Sequence, residues 1–317
     1  MSCMAILVGD GPVREIKAEE AAAYAGPGFV WIHVEGADEG ERSALLGQDI
    51  PDVAANALIA TETRPRCDRI DEGAILNLRG PAPTEIADSD RLVSIRMWVR
   101  RGKVNSVTRF PLAATAIVAE QILAGRILDP GDLVAAFART ISKQLDPQVA
   151  DLGDLLDDCE SDLEPGRVFR LRMVIAKVRS EAIAFRRFVA PNRDALQTLA
   201  SLDFDWLAED DRLHIREAAD RFARMAEELE AVRERAALLH EQLTDLRAED
   251  LDQRSLLISV VAFIFLPLTF ITGLLGMNVE GIPYSHSHWS FWGVVIFCVL
   301  LGLAVLTWFA RRRWLRR

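Results

Sequence analysis

Gly276-Met277-Asn278 closes an uncharged stretch, Ser255–Asn278, that reads SLLISVVAFIFLPLTFITGLLGMN. The Asn278 side chain offers an amide oxygen without a charge. Magnesium gives up its waters reluctantly. A ring of amide and carbonyl oxygens therefore suits a hydrated divalent cation that must later leave, whereas a carboxylate cage would hold it too firmly. Glu280, His286 and His288 follow closely. Imidazole and carboxylate suit zinc better than magnesium, and imidazole titrates near neutral pH. Histidines in a short exposed loop are more often plain surface residues, so they form a capture site only as an expectation. Upstream, Ser255, Ile258, Ala262, Leu266 (or Phe265), Thr269 and Gly273 recur at steps of three and four, which places them on one helical face. A ring of hydroxyls can touch an ion's water shell, and an apolar ring can act as a dewetting gate. The same residues also serve close helix packing in a bilayer. Gly276 is expected to end the helix with a positive φ, and Pro267 to bend it or loosen its backbone bonds.

The elements that must position these residues are two apolar runs. As a helix, Ser255–Asn278 is about 36 Å long, enough for a hydrocarbon core of about 30 Å. A second run, Phe291–Ala310 (FWGVVIFCVLLGLAVLTWFA), follows after the short loop Val279–Ser290. That loop has no Lys or Arg, whereas Arg247 and Arg254 precede the first run and RRRWLRR follows the second. The positive-inside rule then puts both chain ends in the cytoplasm and the short loop outside, the topology of a multi-pass membrane protein. Trp289, Trp292, Trp308 and Trp314 sit near the run ends, as interfacial aromatics do.

The rest of the 317-residue chain is acidic. The first 254 residues carry 32 Lys and Arg against 46 Asp and Glu. That balance argues against nucleic acid as a partner, because phosphate binding needs a basic surface. It favours cations. Asp151, Asp154, Asp157, Asp158, Glu160, Asp162 and Glu164 form a run without a base; it is either a solvated helix face or a surface that concentrates or senses cations. Cys3, Cys67, Cys159 and Cys298 are scattered, with no CxxC pair, so they give neither a zinc ribbon nor a disulfide framework. The start, MSCMAILVGDG, lacks the basic and apolar regions of a signal peptide. His33, His214 and His240 stand alone. No nucleotide loop, HExxH or nucleophile–base pair is visible, so the chain is not expected to be an enzyme and needs no cofactor.

Phe29–Gly36, Cys67–Ile70, Ala74–Leu78, Leu92–Arg100 and Lys103–Thr108 read as strands, the last two joined by an Arg101-Gly102 hairpin. Asp38–Ala60 has a helical pattern interrupted near Pro51, with Asp52 able to cap the second piece, and Ala113–Arg126 is helical. The expectation is a mixed α/β domain with at least four strands. From Asp132 the chain reads as helix to about Leu163, kinked at Pro147, then from Arg167 to about Phe188, where Pro191-Asn192 breaks it. A third helix starts near Asp205 and meets no Gly or Pro until Pro267. Leu213, Ala219, Phe222, Met225, Leu229, Val232, Ala236, Leu239, Leu243 and Leu246 form its apolar stripe, read as a seam for self-assembly around a shared axis. The expected division is 1–128 α/β domain, 129–204 helical part, 205–254 stalk, 255–275 first span, 276–290 outer loop, 291–310 second span and 311–317 basic tail.

GLLGMNVEGIPY, its short loop, the final span and the basic tail resemble the CorA superfamily of two-span divalent cation transporters. Val279 after the Asn and Tyr284 after Pro283 look more like the ZntB-type zinc branch than the magnesium branch. Ala57–Gly80 and Leu92–Arg109 are also similar to ZntB-type proteins, so the resemblance covers most of the chain. It implies a CorA-like homopentameric funnel: an α/β cytoplasmic domain, a long stalk helix that continues as the pore-lining span, and Gly276, Met277 and Asn278 at the outer entrance. It implies membrane lipids and further copies of the chain as partners and zinc, with other divalent ions, as cargo. Five copies would bring ten loop histidines to the mouth. Proton coupling is described for that branch, though no residue here shows it. The alternatives are a magnesium (or cobalt or nickel) channel of the same fold, and a membrane-anchored helical sensor or scaffold without transport.

Overall fold

The computed structural model describes residues 2–36, 50–60, 64–83, 92–164, 167–277 and 289–311. Seven strands form one sheet, ordered β2-β1-β3-β7-β6-β5-β4. They are β1 (Ser2–Val8), β2 (Arg14–Glu15), β3 (Phe29–Glu35), β4 (Arg66–Ile70), β5 (Gly73–Pro81), β6 (Leu92–Arg100) and β7 (Lys103–Thr108). The five strands expected from the sequence are present. β1 and β2 are added, and β1 runs antiparallel to β3 from Ser2↔Glu35 to Val8↔Phe29. β3 and β7 are parallel and the remaining pairs antiparallel.

Both faces of the sheet are covered. Helices α1 (Ala18–Ala23) and α2 (Asp52–Ile59) bring Ala21, Ala54, Ala57 and Leu58 onto Leu7, Val30, Ile32, Val34, Ile75, Trp98 and Val107. On the other face Phe137 meets Trp31 edge-on, with ring centroids 5.7 Å apart. Phe137 belongs to α4 (Pro130–Ser161), which follows α3 (Ala113–Leu123). A strand side chain alternates between faces, so His33, Ser106 and Thr108 share the α4 face. There the Trp31 indole N–H donates to Ser106 Oγ, and Ser106 in turn bonds His33 Nδ1, each at 2.8 Å. Indole can only donate. Ser106 Oγ therefore accepts from Trp31, and with one proton and a second lone pair left it can serve His33 Nδ1 in either direction, while Nε2 lies 3.5 Å from Thr108 Oγ1. Burial lowers the His33 pKa to about 4, which keeps the ring uncharged.

Asp52 is the first residue of α2, and Pro51 occupies the cap position without a side-chain bond. The capping role expected of Asp52 is absent. Residues 37–49, which include most of the helical pattern expected from Asp38, lie outside the described residues. Asp129 caps α4 instead, its carboxylate accepting from Asp132 N at 2.9 Å with Pro130 in the first turn.

Helix α5 (Val168–Ser201) passes through Pro191, contrary to the break expected there. The next residue explains it. Asn192 is fully buried; its Oδ1 accepts from Arg79 N at 3.0 Å and its Nδ2 donates to Arg79 O at 2.9 Å. Both ends of one amide thus bond the backbone of β5 and hold the helix over the proline. Pro147 is likewise inside α4.

Helix α6 runs from Glu209 to Leu275, and α7 from Ser290 to Arg311. Ala219, Phe222, Met225, Leu229, Val232, Ala236, Leu239 and Leu243 of the expected stripe are buried, whereas Leu213 is 59% exposed and Ile215 and Ala218 take its place. Arg186 of α5 pairs with Glu230 at 3.0 Å, and Arg235 pairs with Asp157 and Glu160 of α4 at 2.5 and 2.9 Å. Those bridges set α6 beside α4 and α5 of its own chain. The stripe is therefore consumed within one chain and does not speak for self-assembly. The chain divides into two compact units, Met1–Leu163 with Phe169–His240, and Glu164–Val168 with Glu241–Arg317.

Candidate ion path and the sites around it

In the second unit, α6 and α7 are both long and apolar enough to cross a membrane. Phe263 of α6 meets Phe309 of α7, ring centroids 6.1 Å apart. The α6 residues that lose surface here are Leu256, Val260, Ile264, Pro267, Leu268 and Ile271. At about 100° per residue they cluster on one side. Ser255, Ile258, Ala262, Leu266, Thr269 and Gly273 fall about half a turn away, and all six are exposed. Ile258 keeps 69% of its surface and Leu266 76%. The face singled out in the sequence is thus turned from the one that packs. Leu266 and Thr269 also border an apolar cavity of about 870 Å³ that Phe263, Phe270, Leu301 and Val305 help to line.

The hydroxyls on this stretch are tied to the helix. Ser259 Oγ donates to Ser255 O at 2.8 Å, Thr269 Oγ1 to Phe265 O at 2.7 Å, and Thr272 Oγ1 to Leu268 O at 3.0 Å. A hydroxyl has one proton and two lone pairs. With the proton committed to the preceding turn, each oxygen presents only acceptor capacity. The first-shell waters of a cation point their hydrogens outward and need acceptors. Among the described residues the Ser255 hydroxyl makes no such bond, and its carbonyl receives Ser259 instead.

At the end of α6, Gly276 N donates to Thr272 O at 2.9 Å. Gly276 is not among the residues with positive φ, so the expected left-handed cap is absent. Glycine matters there for space: a Cβ would lie 3.0 Å from Thr272 O. Met277 is 49% exposed. Asn278, Glu280, His286 and His288 lie outside the described residues, as do residues 312–317 of the basic tail.

The acidic run on α4 is partly spent. Asp157 and Glu160 hold Arg235, and Glu164 is 3.7 Å from Arg167. Elsewhere the structure assembles a carboxyl cluster that the sequence did not single out. Asp129, Asp132 and Asp211 bring oxygens within 4.8 Å of one another. Asp211 is buried and accepts from Ala208 N at 2.9 Å. Gly131 makes the approach possible, since a Cβ there would fall 2.2 Å from Asp211 Oδ2. Burial first, then the charge of Asp129, raises the Asp211 pKa to about 7. Asp129 is also raised, chiefly by burial. The only sequence signal was two aspartates 82 positions apart, Asp129 and Asp211, with nothing to say they would meet. Burial pushes the Cys67 thiol up to about 12, which leaves it protonated and unreactive.

Known proteins place this architecture. Residues 26–313 match the model of a family described as CorA-like Mg2+ transporter protein. The zinc transport protein ZntB of Pectobacterium atrosepticum is 30% identical over 311 residues, which cover 98% of this chain and 94% of that one. The solved full-length CmaX protein is 28% identical with a TM-score of 0.77, covering 99% of this chain and 97% of that one. The CorA magnesium transporter of Methanocaldococcus jannaschii has a TM-score of 0.81 at 17% identity, covering 99% of each chain, a likeness of fold alone.

Proposed function

The chain belongs to the CorA-like Mg2+ transporter family, and from that premise we propose that it carries divalent cations, zinc foremost, across a membrane through a pore lined by α6 of several copies. The observation that carries the reading is the exposed face Ser255–Ile258–Ala262–Leu266–Thr269–Gly273, opposite the packed side of α6. Two helices per chain cannot enclose a pore, whereas copies around an axis can, with five the expected number. Hydrated ions are captured at Gly276, Met277 and Asn278, pass the acceptor oxygen of Thr269, and meet an apolar constriction at Leu266, Ala262 and Ile258. Zinc is favoured by the near-full-length similarity to zinc transport proteins and by the chemistry of Glu280, His286 and His288. In this reading both chain ends are cytoplasmic, lipids surround α6 and α7, and no residue is catalytic.

Flux of zinc into liposomes tests it, with and without a pH gradient, for wild type and Asn278→Ala. Flux that falls at least tenfold in Asn278→Ala is expected, and a response to the gradient adds proton linkage. Zinc flux suppressed by excess magnesium would make magnesium the cargo, which the family's description favours as the second reading. No flux of either ion through folded, oligomeric protein would replace transport with a sensor or scaffold.

A further inference from the structure

Helix α5 buries Leu171, Ile175, Val178 and Ala182 on one side. At about 100° per residue, Phe169, Met173, Ala176, Ser180 and Ile183 fall about half a turn away, and all five are exposed. Phe169 keeps 80% of its surface and Met173 63%. The first unit thus presents a strip, about 21 Å long, of four apolar side chains and one small hydroxyl. Scattered apolar residues on a surface are ordinary, whereas a contiguous run with a polar border marks a face that another body covers.

The border of this strip has one sign. Arg170 and Lys177 flank it on one edge, Arg172 and Arg179 on the other, and all four are exposed. Glu181 is the only acid between Arg167 and Arg193, and it lies 4.0 Å from Lys177. A two-fold contact of the strip with its own counterpart would set bases against bases. A second copy that covers it must bring a different, acidic surface, which makes the contact head-to-tail, the kind that closes rings.

Helix α4 carries such a surface. Asp151, Asp154, Leu155 and Asp158 recur at steps of three and four, hence on one face, and all four are exposed. Leu155 keeps 44% of its surface in the middle of the acids. The Arg235 bridges use Asp157 and Glu160 and leave this face free of them. Asp151 to Asp158 spans seven positions, as does Arg170 to Lys177, about 10 Å of helix in each case. We propose that the α5 strip of one copy docks on the acidic α4 face of the next, Leu155 entering between Phe169 and Met173 while the aspartates meet the basic border. The proposal rests on the reading of several copies around an axis and names two surfaces that meet.

Photo-cross-linking of the full chain in liposomes tests the contact, with Met173→p-benzoylphenylalanine as the probe. Irradiation should give covalent dimers on a denaturing gel, the new bond mapping by peptide mass to α4 around Leu155. Asp154→Lys with Asp158→Lys should lower the dimer yield at least fivefold, as should Arg170→Glu with Arg172→Glu. All four changes in one chain should restore most of it. Each lies at an exposed position, so the thermal midpoint should hold. Adducts to lipid alone would assign the strip to a membrane surface, and adducts between two α5 helices to a two-fold contact. Either result overturns the proposal, as do the absence of adducts and failure of the fourfold variant to recover. Zinc flux through the same liposomes separates the two readings. Flux without the α4 adduct sinks this contact and leaves transport standing, whereas the adduct without flux does the reverse.

Discussion

Asn192 and Asp211 show how much a single buried polar side chain decides. Truncating Asn192 to Ala strands the N–H and C=O of Arg79 on β5, a loss of about 1–3 kcal/mol; the thermal midpoint of the purified chain should fall, with the helix content retained. Gly131→Ala should be at least as damaging, because the new methyl would occupy the place of Asp211 Oδ2 and overpacking typically costs about 1–3 kcal/mol. Asp211 makes stability depend on pH in a defined direction. The folded chain keeps its proton up to about pH 7, whereas the unfolded chain loses it near the ordinary value of 3.8. The folded state binds more protons across that window, so stability falls as pH rises through it and levels off above. Asp211→Asn retains an acceptor for Ala208 N and removes the titration. Its melting temperature should vary less from about pH 4 to 8 and exceed wild type at the upper end. Sequence reading missed Asn192 because Pro191 beside it suggested a break, and a proline's effect depends on whether the surroundings hold the helix. It missed the carboxyl cluster because only the fold brings Asp129 and Asp211 together.

Helix α6 sorts its own faces by what α7 leaves uncovered. Thr269 is the sharpest test of the exposed one. Thr269→Val keeps the shape and deletes the acceptor, so zinc flux should drop at least several-fold, while Thr269→Ser should retain most of it. A second check uses proximity between copies. Cysteine at Ile258 should cross-link neighbouring chains under mild oxidation, whereas cysteine at Val260, 6% exposed in its own chain, should not exceed background. The spans, five of the strands and the long helix were legible because their signals are local: uncharged length, β-branched alternation and three-four spacing. β1 was not, since a short apolar run near the start of a chain carries no mark of the partner strand that completes it. The stripe on α6 was legible as a stripe, but period alone does not say whether the helix it faces belongs to the same chain, and here it does.

For the whole molecule, membership of a transporter family and the free face of α6 point the same way, while the outer residues expected to select the ion rest on sequence chemistry. Assembly draws support from apolar groups that one chain leaves uncovered in the first unit, among them Phe169 at 80% and Met173 at 63% exposed, one helical turn apart on α5. Phe169→Glu with Met173→Glu should shift the purified protein toward smaller species on light scattering without unfolding it. The order in which the chain is made gives the two-unit division a further meaning. Apart from five residues, everything in the second unit comes after His240. At about 5–20 residues per second, residues 241–317 take roughly 4–15 s to synthesise. The sheet and its helices can close during that interval, before the first span leaves the ribosome. Insertion then begins from a nascent chain that already carries a folded body, which, in the proposed topology with both ends cytoplasmic, the membrane machinery accepts on its own side and never threads across.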